Sequence, residues 1–165
     1  MTKRTDNRTV AKIWATGKGD AQSNNGQFFN RGNLLFSYGH HYVAGYIVPG
    51  YYLPKGCVTR DHMTVLVLIN AKKVSPTTSK HTSMARQAAA SLAREIPGSA
   101  PVIVDVPDLN TFVNKRLGGG VNLSDESQTK ISADFERILT SHLERSGVAV
   151  PSGLQAIFAS NKASV

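Results

Sequence analysis

Apolar residues recur along this chain in two rhythms. Val10, Ile13 and Trp14 stand at i, i+3 and i+4, the spacing that gathers side chains on one helical face, and predict a short helix from Thr9 with Trp14 as a core anchor. Gly17 to Gly26, rich in Gly, Ser and Asn, predicts a loop. Strand signals follow. Gln27-Phe28-Phe29, the turn Asn30-Arg31-Gly32-Asn33 and Leu34-Leu35-Phe36-Ser37-Tyr38 predict a β-hairpin, and His41 to Val48 a third strand. Thr64 to Asn70 is almost continuously apolar, which predicts a central strand covered on both faces.

The rhythm then changes. Pro76 suits a helix start, Thr77, Thr78 or Ser79 can serve as its N-cap, and Ala85, Ala88, Ala89, Leu92 and Ile96 continue one apolar stripe as far as Pro97-Gly98. Pro101 to Val106 is a fifth strand candidate and Asp108 to Val113 a short helix. Asp125-x-x-Gln128 resembles a capping box, opening a helix with Ile131, Phe135, Ile138, Leu139 and Leu143 on one face, His142 at its edge and Gly147 at its end. The pattern therefore predicts an α+β fold: an antiparallel, meander-like sheet of about four or five strands, one packed helix, and an additional C-terminal helix. Residues 1–96 are expected to form a basic α+β core domain. Residues 97–165 are expected to form a C-terminal helical extension packed on or near the core, and residues 1–8 a frayed polar arm.

Composition narrows the function classes. A hydrophobic content of 41% over 165 residues supports a true core. No apolar run approaches the roughly 18 residues of a membrane helix, and the N-terminus lacks an apolar signal core, so no membrane partner is expected. Cys57 is the only cysteine, which excludes an intrachain disulfide. Asp20, Asp61, Asp105 and Asp108 are scattered, so neither a metal site nor a cofactor is expected. The net charge of +8 is uneven: residues 1–60 carry eight basic and two acidic side chains, residues 61–95 five and two, residues 96–165 six and seven. The basic excess of residues 1–95 favours polyanionic partners, DNA or RNA above all, through counterion release.

The densest candidate chemistry is Ser75-Pro76-Thr77-Thr78-Ser79-Lys80-His81-Thr82-Ser83-Met84-Ala85-Arg86. Helix starts present unpaired N–H groups and a positive dipole end. Thr77, Thr78, Ser79, Lys80 and Arg86 are therefore the candidate anion-binding residues. The bland alternative is that the same hydroxyls are caps and turn formers. His62-Met63-Thr64-Val65 resembles one half of the paired His-x-Thr pattern of 2H phosphoesterases. Its only possible partner, His81-Thr82-Ser83, lies nineteen residues on with serine for threonine, which disfavours that assignment.

The order of these features resembles a family of small uncharacterised bacteriophage proteins. The resemblance rests on Ile13-Trp14, Asn24-Asn25-Gly26-Gln27-Phe28-Phe29, Ser37-Tyr38-Gly39-His40-His41-Tyr42, Leu66-Val67-Leu68-Ile69-Asn70 and the Ser75–Arg86 motif, and it covers about half the chain. Val43 stands where the family often has proline, and the loop from Pro49 to Thr64 is long for it. The resemblance implies a phage context, action in the host cell cytoplasm, and no particular reaction. It also singles out His41 and His81 among the histidines, with Ser37, Tyr38 and His40 in support. Two histidines beside hydroxyls and cations can perform acid–base cleavage of a phosphodiester. They can equally hydrogen-bond and lock strand to helix. The expectation is a small phage accessory protein, leaning non-enzymatic, that binds nucleic acid or another phosphate-bearing partner through its helix start. The alternatives are a histidine-dependent phosphodiesterase or nuclease, and a protein-binding anti-defence or assembly factor with a host or phage partner.

Overall fold

Alternation along the strands assigns each side chain to one of two cores. A computed structural model describes residues 3–17, 19–37, 42–48, 63–95, 99–113, 137–152 and 154–155. In chain order the elements are β1 (Lys3–Thr5), α1 (Asn7–Thr16), β2 (Ala21–Ser23), β3 (Phe28–Arg31), β4 (Leu34–Ser37), β5 (Tyr42–Ile47), β6 (Met63–Asn70), α2 (Pro76–Ala90), α3 (Leu92–Glu95), β7 (Ser99–Val106) and α4 (Leu109–Thr111). Residues 137–145 are also helical. Along β6, Leu66 and Leu68 face one core while Val67 and Ile69 face the other. The first core also takes Phe29, Phe36, Val43, Tyr46, Val104, Val106, Leu109, Phe112, Leu139 and Leu143. The second takes Val10, Trp14, Phe28, Leu35, Ala44, Ala85, Ala89 and Leu92. Helices α1 and α2 thus cover one face of the sheet, and α4 with the helix at 137–145 covers the other.

Among the described residues the strands form one seven-stranded sheet in sequence order, β1 to β7. Its two ends, β1–β2 and β6–β7, are parallel and the four inner pairings are antiparallel. Parallel neighbours need a crossover, supplied by α1 at one end and by α2 with α3 at the other. Trp14 is the bolt of the helical face: fully buried, it donates from Nε1 to the Asn33 carbonyl at 2.8 Å. Room for its ring comes from Gly45, where a Cβ would stand 2.7 Å from Trp14. A bulge between the Leu35–Gly45 and Phe36–Val43 pairs turns Gly45 toward that ring.

The α+β class holds, but the sheet is larger than expected and is mixed. Two strands were invisible to periodicity, because β1 falls in the expected frayed arm and β2 in the expected loop. Each has three residues, too few to show alternation. The fifth strand candidate became β7, parallel instead of antiparallel: its pairing is set by the α2–α3 crossover, which no strand-local signal encodes. β7 pairs with β6 along all eight residues, from Met63–Ser99 to Asn70–Val106. The helix expected to run to Ile96 breaks at Ser91, whose hydroxyl bonds back to the Gln87 carbonyl. The capping box at Asp125–Gln128, Cys57 and the loop around it, and His62 lie outside the described residues. Among the described residues, no helix is long and apolar enough to cross a membrane.

Candidate functional site

Where β6 and β7 end, the chain leaves the sheet in opposite directions. β6 passes through residues 71–75 into α2, on one face, and β7 passes through residues 107–108 into α4, on the other. Adjacent parallel strands whose connections part in this way open a crevice at their carboxyl ends, the favoured ligand position in open sheets. Among the described residues two clefts lie there. The larger, about 430 Å³, is lined by Asn70, Ala71, Lys72, Lys73, Ser79, Thr82, Ser83, Arg86 and Asp105. The smaller, about 310 Å³, is lined by Tyr42, Lys72, Val74, Ser75, Thr78, Asp108 and Asn110. Lys72 borders both.

Asn70, the buried last residue of β6, holds the crevice in shape. Its Nδ2 donates to the Val43 carbonyl at 2.9 Å and to Asn110 Oδ1 at 3.2 Å. Its Oδ1 accepts from the Lys72 amide at 2.9 Å. Asn110 Oδ1 also accepts from the Val43 amide at 2.9 Å, and Tyr42 donates its hydroxyl to the Lys72 carbonyl at 2.7 Å. One carboxamide pair therefore ties β5, the β6–α2 loop and the β7–α4 loop together. At the second loop Asp108 takes a left-handed backbone with φ 49°, which aspartate tolerates better than most residues. Its Oδ2 accepts from Thr111 Oγ1 at 2.7 Å.

The helix start differs from expectation. Its N-cap is Ser75, ahead of Thr77, Thr78 and Ser79, and Pro76 occupies the first helical position. Ser75 Oγ accepts from the Thr78 amide at 3.2 Å, and Thr78 Oγ1 accepts from the Ser75 amide at 3.0 Å. Thr78 is thus buried as a capping partner. Pro76 has no N–H, and the Ser79 amide donates to the Ser75 carbonyl, so few amides of this turn stay available to an anion. Of the expected anion-binding residues, Ser79 and Arg86 line the larger cleft and Thr78 the smaller; Thr77 and Lys80 line neither. Arg86 Nη2 reaches Asp105 Oδ1 at 2.5 Å, a half-exposed ion pair that offsets part of its charge.

His81 lies on the inner side of α2, away from both clefts. Its ring stacks on Phe28, with centroids 4.3 Å apart and planes 15° apart. Its Nδ1 shares a hydrogen bond with Ser37 Oγ at 2.6 Å, and both residues are buried. Burial, and then the neighbouring Lys80 charge, hold its pKa below the ordinary histidine value. The pair fastens β4 to α2, and Ser37 is the supporting residue found beside His81. Tyr38, His40 and His41 lie outside the described residues.

Lys72, Lys73 and Asn110 line the clefts without having been expected there, and Thr82 and Ser83 were named in the Ser75–Arg86 stretch but not among its anion-binding residues. The available signal was the Lys72-Lys73 pair directly after a central strand, where a parallel sheet places its ligands. Among the described residues, no group of three His, Cys, Asp or Glu is placed to hold a metal ion. In comparisons with protein-family models, curated proteins and solved structures, no match to this chain was found.

Proposed function

We propose that this chain is a small phage accessory protein that binds nucleic acid or another phosphate-bearing partner, without catalysing a reaction on it. The phage context rests on the resemblance of the Trp14, Ser37–Tyr42 and Ser75–Arg86 motifs. The binding role rests on one observation above all. The crevice at the carboxyl ends of β6 and β7 gathers Lys72, Lys73 and Arg86 with the hydroxyls of Ser79, Thr82 and Ser83 around one cleft. Cations position a phosphate and hydroxyls donate to its oxygens, and neither needs sequence information in the ligand. The basic excess of residues 1–95 supplies the long-range attraction. The non-enzymatic reading is supported by His81, whose buried ring is stacked on Phe28 and bonded to Ser37 instead of lining either cleft.

Fluorescence anisotropy with labelled single-stranded DNA and RNA, titrated with salt, tests this reading. Three cationic contacts predict a log–log salt slope of about −2 to −3. Lys72→Ala with Lys73→Ala is expected to weaken binding at least tenfold, on the order of 1.4 kcal/mol or more. Asp105→Asn, which releases Arg86, is expected to strengthen it. Absence of binding at low salt, or binding indifferent to these three changes, would overturn the proposal.

A further inference from the structure

The two clefts have different chemistry, and the difference specifies a ligand. The larger offers two lysines and hydroxyls, the donors an anionic group requires, and its one carboxylate, Asp105, is paired with Arg86. The smaller adds a carboxylate, Asp108, a carboxamide, Asn110, and the side chain of Val74. Val74 is 61% exposed, and among the described residues no other large hydrophobic is exposed. A bare phosphate has no use for the second cleft, and a second phosphate there would meet the Asp108 carboxylate. A ligand spanning both clefts therefore has an anionic head, a neutral body that donates hydrogen bonds, and a flat apolar face.

We propose that the crevice takes a ribonucleotide unit, its phosphate against Lys72 and Lys73, its ribose hydroxyls on Asp108, and its base face over Val74. This rests on the phosphate-binding reading above and narrows it. An ionised carboxylate has about four acceptor positions, and Asp108 commits one oxygen to Thr111, so acceptor capacity remains for a vicinal diol. A carboxylate at the end of a parallel strand is a general solution for holding ribose hydroxyls beside a bound phosphate. Adjoining clefts of about 430 and 310 Å³ suit a small ligand, whereas the paired bases of a duplex cannot turn outward into them. A vicinal diol exists on a free ribonucleotide and on the 3′ end of an RNA strand, and these are the two possible sources.

Isothermal titration of the full chain tests the assignment, using uridine and adenosine 5′-monophosphates, their 2′-deoxy forms, and inorganic phosphate. The ribonucleotides are expected to bind about tenfold tighter than inorganic phosphate and several-fold tighter than the deoxy forms. Asp108→Asn keeps a residue that tolerates the left-handed backbone and still accepts from Thr111. It is expected to abolish the ribose preference while leaving inorganic phosphate unweakened. Lys72→Ala is expected to weaken every ligand. Competition by a short RNA with a 3′ diol, but not by the same strand bearing a 3′ phosphate, assigns the site to strand ends. Competition by the monophosphates alone assigns it to free nucleotides. Equal affinity for ribonucleotide and inorganic phosphate, with no selective effect of Asp108→Asn, overturns the ribonucleotide assignment and leaves phosphate binding standing. If no ligand responds to Lys72→Ala, both readings fall together.

Discussion

His81 sits where a histidine does structural work at a cost in acid. Burial disfavours its imidazolium, so the folded chain holds this proton less readily than the unfolded chain, whose reference value is 6.5. The folded state then binds fewer protons, and stability is complete above that value and is lost as pH falls through and below it. The melting temperature is accordingly expected to decline from about pH 7 to about pH 5. The deficit of His81→Gln against the parent should shrink over the same interval; a deficit independent of pH would contradict this. Ser37→Ala leaves the buried Nδ1 facing a methyl group and is expected to cost about 1–3 kcal/mol in denaturant unfolding. Tyr46 presents the converse case. Its hydroxyl is buried with no hydrogen-bond partner among the described residues, and burial pushes its phenol well above the usual range. Tyr46→Phe is therefore expected to leave stability unchanged or raise it by up to about 2 kcal/mol. A clear loss in thermal unfolding would reveal a partner. A strand-to-helix lock was legible as one role for His81; its pairing with Ser37 was not, because the two meet across forty-four positions.

At the level of elements, the crevice depends on loops more than on the helix start that dominates the sequence. The hydroxyls of Ser75 and Thr78 are spent on each other, which makes α2 a firmly capped helix. Seen in sequence, a hydroxyl cluster at a helix start is the same for a capping box and for an anion site; only the pairing distinguishes them. The loops are tied by Asn70, whose amide reaches Val43 and Asn110 while its oxygen takes the Lys72 amide. Asn70→Ala removes several buried hydrogen bonds together, and a cost of about 2–4 kcal/mol is expected. It is also expected to weaken polyanion binding, although Asn70 carries no charge. Full stability and full binding in this variant, measured by urea unfolding and anisotropy, would refute its organising role. The α1, β3–β4, β5, β6 and α2 elements were readable because each carries a long enough apolar rhythm. The three-residue strands β1 and β2 carry none, and they exist because α1 packs across the sheet and pulls both ends of its crossover into register.

For the whole molecule, topology sets part of a diffuse basic composition beside a cleft. An all-antiparallel meander of the expected kind has no pair of parallel carboxyl ends and hence no such crevice. The observed sheet has one at β6–β7, because α2 and α3 return the chain parallel to the strand it has just left. Excess charge on residues 1–95 was readable by counting; the placement of Lys72 and Lys73 beside a cleft depended on a crossover that counting cannot see. The proposed polyanion site is this crevice at the β6 and β7 ends. The most direct measurement is a backbone-amide chemical-shift titration of the assigned full chain with a short single-stranded RNA at low salt. Progressive shifts are expected at Ala71 to Lys73, Ser79 to Ser83 and Asp105 to Asn110, reduced in the Lys72→Ala, Lys73→Ala variant. Shifts confined to the α1–α2 surface around Arg8 and Lys12, with the β6 and β7 ends silent, would contradict the account.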